Sequence, residues 1–213
     1  IQFSDSPNLD AFSRLRTSEP YNIFNSSFID TSGSTLYETL LTSAGSTTFN
    51  TNKSEVQFNV TGSGDSIIRE QHGYNHYQPG KSQLILLTGV FGSSVTNVTK
   101  RMGYFNDDDG LFFQLSGSTF GVNLRTSTSG VPVNTFIPQS SWNIDTLNTG
   151  STLNPSGFHL DITKTNIFVI NFQWLGVGRV VFALDIDGTV VPVHQMLNAN
   201  SKTEVYMKTG SLP

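Results

Sequence analysis

Short runs of alternating apolar and polar residues, separated by glycine, serine, threonine and asparagine, make up most of this chain. The clearest stretch is 166–194. Ile167, Val169 and Asn171 alternate there with Phe168, Ile170 and Phe172, so both faces of the first strand are largely apolar, as in a strand held between two layers. Gly176 and Gly178 bracket a reversal, a second strand is predicted over 179–186, and Asp187-Gly188 is a hairpin signal leading into a third over 189–193. Further strands are predicted over 21–29, 35–41, 55–60, 66–70, 83–91, 96–105, 111–115, 120–125 and 131–137. Such a series predicts an all-β fold of antiparallel sheets, a β-sandwich or jelly roll, with the meander of 166–194 at its centre. The least periodic stretch is 140–158, where Trp142, Ile144 and Leu147 fit a helical turn and Asn154-Pro155-Ser156-Gly157 reads as a loop.

Residues 1–20 break the pattern and end at Glu19-Pro20, where the residue before proline is driven from helical dihedrals. Leu9, Phe12 and Leu15 recur every third position behind Asp10, which would cap a short turn. Three large apolar groups in a free tail would be wasted exposure, so the expected organisation is an extended N-terminal arm over 1–20 and a sandwich domain over 21–213. Docked in a groove, Phe12 and Leu15 would each contribute about 1.5–3 kcal/mol. Arg14 and Arg16 would face one way in extended chain and meet carboxylates or carbonyls of a partner, and Tyr21 follows them as an interface candidate.

Composition narrows the partners. Only 13% of residues are charged and the net charge is −4, which supplies no electrostatic footprint for nucleic acid. Solubility rests on neutral hydroxyls and amides, which cost less than ions to bury against another protein, so the surface suits assembly; a homo-oligomer is among the expected partners. The absence of cysteine removes disulfides and thiolate chemistry. No apolar run reaches membrane-spanning length and the first residues lack a leader pattern, so no membrane role is expected.

Candidate chemistry is sparse. Asp107, Asp108 and Asp109 beside Gly110 offer three carboxylates for calcium, but a strand follows where a ligating glutamate would be needed, and a polar hairpin turn accounts for them. His72 and His76 have the four-residue spacing of a zinc pair on a helix, in a stretch that reads as extended. Residues 62–66 are glycine-rich without the lysine of a phosphate loop, and no Gly-x-Ser-x-Gly occurs. Asp185 and Asp187 share a strand face like a glycosidase pair, although the hairpin explains Asp187. Tyr74, Tyr77, Trp142 and Trp174 would suit a glycan platform. The expectation is a protein that is not an enzyme and needs no cofactor or metal.

The segment Leu9-Asp10-Ala11-Phe12-Ser13-Arg14-Leu15-Arg16-Thr17-Ser18-Glu19-Pro20 resembles the DAFGRLRVSEP-type opening of a family of virion structural proteins of tailed bacteriophages and some large DNA viruses. Tyr77-Gln78-Pro79-Gly80-Lys81-Ser82, Arg101-Met102-Gly103-Tyr104-Phe105 and Trp174-Leu175-Gly176-Val177-Gly178-Arg179 resemble later blocks of that family in the same order. Ser13 stands where the family has glycine, and the family's chains commonly continue into another strand after the Leu-Pro seen here as Leu212-Pro213. The resemblance implies a virion-located capsid decoration, accessory or tail-associated component that binds other virion proteins. The alternative is a virion module for glycans or a host receptor.

Overall fold

A computed structural model describes residues 21–213 apart from 30, 79, 174 and 175. The chain divides between Arg69 and Glu70 into two compact units. The arm expected over 1–20 lies outside the described residues, as do its Phe12, Arg14, Leu15 and Arg16.

The larger unit, 70–213, is a two-layer antiparallel sandwich. One sheet is a plain meander of β7 (Thr99–Phe105), β8 (Gly110–Ser116), β9 (Thr119–Thr126) and β10 (Val133–Pro138), in the order β10-β9-β8-β7. The other holds β11 (Asn166–Gln173), β12 (Arg179–Ile186) and β13 (Thr189–Leu197), with β6 (Ser82–Gly89) added beside β11. Asp187 (φ 52°) and Gly188 (φ 80°) both take the left-handed backbone that a tight β12–β13 turn demands, which is what Asp-Gly supplies most readily. The meander of 166–194 therefore forms as its alternation predicts. Each sheet runs through its strands consecutively apart from β6, so the sandwich lacks the double Greek key of a jelly roll.

Aromatic rings join the layers. Phe113 of β8 lies 4.9 Å from Phe168 and 5.4 Å from Phe182, ring centre to ring centre, and Phe120 of β9 meets Phe91 at 5.1 Å. Phe168, Ile170 and Phe172 all face this core and are fully buried, whereas on the opposite face Ile167 and Asn171 reach solvent and Val169 is covered. Only one face of β11 is therefore sealed by a second layer. A short 3-10 turn, Gln139–Ser141, brings Trp142 into the core. The helical turn expected at 142–147 is replaced by irregular chain, bent at Asn143 and Ile144, that hydrogen-bonds β13, with the Ile144 and Asp145 amides donating to the Val193 carbonyl. At the end of the chain β14 (Ser211–Leu212) pairs with β5 (Asn75–His76), and Leu212 is buried in the core.

Residues 21–69, read from the sequence as part of the sandwich, give no strand to either four-stranded sheet. They contain β1 (Tyr37–Thr42), β2 (Ser46–Asn50), β3 (Glu55–Asn59) and the start of β4 (Ser66–Gln71), which form two two-stranded sheets, β1-β4 and β2-β3. No strand forms over 21–29.

Candidate functional site

The unit before Glu70 has an unusual surface. Among its described residues the only buried positions are Gly33 and Gly45, so none of the described apolar side chains is buried. Ten large apolar side chains are exposed between Tyr21 and Ile68, including Leu40 and Leu41 on β1 and Phe58 on β3. Tyr21, the one arm-side interface candidate that is described, is 77% exposed. Two-stranded sheets are marginal alone because neither face has another layer to pack against. Local polar devices hold this one. The Asp65 carboxylate accepts from the amides of Thr61 (2.9 Å), Gly62 (2.7 Å) and Ala44 (2.9 Å), which ties the 61–65 turn to the 43–45 turn. Those three donors, Thr61 first, hold its pKa well below the usual carboxylate range. Residues 62–66 thus form a carboxylate-capped turn rather than an anion loop. The Arg69 guanidinium lies 4.7 Å over the Tyr37 ring, donates to Thr39 Oγ1 at 2.8 Å and to the Ser32 carbonyl, and has its pKa lowered by burial.

A second feature occupies the outer face of the β7–β10 sheet. Alternation places Phe112 and Gln114 of β8 and Asn123 and Arg125 of β9 opposite the core-facing Phe113, Leu115 and Val122. Phe112 is fully buried under two guanidinium groups, Arg101 at 5.7 Å and Arg125 at 5.4 Å from its ring centre. Arg125 donates to Asn134 Oδ1 (3.1 Å) and to the Asn106 carbonyl (2.6 Å), and Arg101 to Gln114 Oε1 (2.9 Å). Among the described residues no carboxylate pairs with either arginine. Burial chiefly, and then the neighbouring Arg125 charge, lower the Arg101 pKa. Two guanidinium groups with no carboxylate partner among the described residues thus flank one buried ring, and guanidinium forks suit an anion or a carbonyl-rich partner.

The residues singled out for catalysis or metal binding are scattered. Asp109 does sit in a hairpin turn, with the Asn106 amide donating to its carbonyl, but its side chain is fully buried. One carboxylate oxygen accepts from the Ser127 amide (2.8 Å) and the other from the Ser127 hydroxyl and from the Thr209 amide (3.1 Å) and hydroxyl. Asp107 and Asp108 stay exposed. Asp185 Oδ1 accepts from the Gly188 amide at 3.0 Å, so it serves the same turn as Asp187. His72 lies in a bend and His76 in β5, which removes the helical spacing. Among the described residues no three His, Cys, Asp or Glu side chains converge on a metal position, and no helix is long and apolar enough to cross a membrane.

The aromatic residues do not assemble one platform either. Trp142 is in the core, Tyr77 stacks on Phe172 at 6.0 Å, Tyr74 is exposed, and Trp174 lies outside the described residues. His194, half-way along β13, accepts from the Asn143 amide through Nδ1 (3.3 Å), and burial lowers its pKa. A cleft of about 520 Å³ is lined by the hydroxyls of Ser94, Thr96, Thr99, Ser116 and Ser118 with Asn97, without any charged or aromatic group. Sequence reading missed the Arg101–Phe112–Arg125 face. The signal was present in the alternation of β8 and β9, which sets Arg125 opposite a core residue.

Compared with known protein families, with curated proteins and with solved structures, the chain matches none.

Proposed function

We propose that this chain is a non-enzymatic structural protein of a virus particle, of the tailed-bacteriophage kind, that binds other virion proteins as a capsid decoration, accessory or tail-associated component. The observation that supports this reading most is the unit before Glu70, whose described residues expose ten large apolar side chains and bury none. A unit of that kind has too little internal packing to be stable by itself, and burying Leu40, Leu41 and Phe58 against a partner would contribute about 1.5–3 kcal/mol each. Folding of such a segment is completed by binding. The sandwich then serves as a rigid body that the pairing unit attaches to the particle.

Hydrogen exchange tests the reading. In the isolated protein the amides of β1–β3 should exchange much faster than those of β8 and β11, and binding to purified particles should protect them. Protection of β1–β3 in the isolated chain, together with no labelling of virions by an antibody against this protein, would overturn it. The second reading, a virion module for glycans or a host receptor, draws on the Arg101–Phe112–Arg125 face, which suits an acidic sugar. It is favoured if a glycan array shows binding to carboxylated sugars that Arg101→Ala abolishes.

A further inference from the structure

The sandwich has four sheet edges, and three carry features that resist strand addition. The β10 edge is bounded by Pro132 and ends at Pro138, neither of which has an amide to donate. The β13 edge holds Pro192, a register shift opposite Phe182 and Ala183, and Asn143, whose side-chain amide and carbonyl both bond the Gln195 backbone. The β7 edge presents Lys100 and Arg101. The β6 edge has none of these. Its eight residues, Ser82–Gly89, include no charge and no proline, and they pair with β11 residue for residue without a bulge. Among the described residues nothing pairs with the other side of β6. Leu84 and Leu86 on its outer face are 59% and 56% exposed, and Ile85 and Leu87 on its inner face are only partly covered although they pack on the core.

We infer that β6 pairs antiparallel with β6 of a second copy of this chain, joining two four-stranded sheets into one of eight. The choice of a copy follows from symmetry and charge. A two-fold register with Ile85 opposite the partner's Ile85 sets Leu84 against the partner's Leu86 and Leu86 against the partner's Leu84 on the outer face. Like faces then meet, as antiparallel pairing requires, and on the partly open inner face Ile85 packs against the partner's Ile85 while Leu87 lies beside the partner's Gln83. An uncharged strand meets no repulsion from itself, and every unpaired amide and carbonyl along the edge finds a partner. The inference deepens the assembly reading by naming one partner. It rests on this edge alone, so loss of particle binding with an intact dimer would remove that reading and leave this one.

The test uses the full chain, which has no cysteine of its own. Light scattering should give a dimer, and Leu84→Lys with Leu86→Lys should weaken it at least tenfold while the far-ultraviolet circular dichroism stays unchanged, since both positions are exposed. A mixture of L84C and L86C chains should oxidise to a covalent dimer at least tenfold faster than either variant alone. A monomer at up to about 100 µM, a dimer indifferent to the two lysines, or equal oxidation rates in the three samples would overturn the pairing.

Discussion

Replacing Asp109 with alanine should be among the most damaging single changes in the sandwich. Its carboxylate is fully buried and joins three separated segments: the β7–β8 turn, the start of the β9–β10 loop at Ser127, and the C-terminal stretch at Thr209. Two opposing effects set the magnitude. Burying a carboxylate costs several kcal/mol, yet hydrogen bonds to a charged group are worth about 1.5–3 kcal/mol each, and four donors converge here. Alanine recovers the burial cost but leaves the Ser127 and Thr209 amides without a partner, at about 1–3 kcal/mol each, so a net loss of about 3–5 kcal/mol is expected. For a chain of this size that lowers Tm by roughly 6–20 °C. Asp109→Asn keeps the shape but turns an N–H toward one of the two amides, and should lose about half as much. Thermal melts followed by near-ultraviolet circular dichroism would measure both, and a cycle with Thr209→Ala should show a coupling of about 1–3 kcal/mol. A loss under about 1 kcal/mol for Asp109→Ala, or additive behaviour with Thr209→Ala, would refute the argument that these donors depend on the carboxylate.

Burial pushes the Tyr104 and Tyr206 hydroxyls up to about 12. The native state then keeps protons that the unfolded chain releases near pH 10, so their stabilising contribution is intact below pH 10 and disappears as pH rises toward 12. Absorbance at alkaline pH should show two of the six tyrosines ionising last, together with the loss of structure, and Tyr104→Phe should reduce the alkaline fall in Tm. Gly103→Ala should cost about 3 kcal/mol or more by urea unfolding, because a methyl group there would stand 2.3 Å from the Leu111 carbonyl oxygen and 2.5 Å from Phe112 Cα. Gly73→Ala, with only the Gln71 side-chain amide 3.8 Å away, should stay within about 0.5 kcal/mol of the parent protein.

What could be read from the residues was local. Alternation and the Asp-Gly turn located β11, β12 and the start of β13, because a period of two and a left-handed dipeptide are properties of neighbours in the chain. β2, with the sequence Ser-Thr-Thr-Phe-Asn, has too few apolar residues to announce itself, and β5 and β14 are two residues each, held by pairing with one another across the chain. The stretch 21–29 carries strand-like residues but forms no strand, since propensity does not supply a pairing partner.

The candidate site divides in the same way. The sequence alone determined that this is an all-β chain with few charges, no thiol and a polar turn at Asn106–Gly110. Only the tertiary structure decided that Asp109 inside that turn is a buried tie to Thr209, one hundred residues away. The same holds for the two arginines that meet over Phe112, and for β6 being the sheet edge without a charge, a proline or a bulge. Burial and edge position depend on which strands lie side by side, and that depends on long-range packing to which each local pattern contributes only a part.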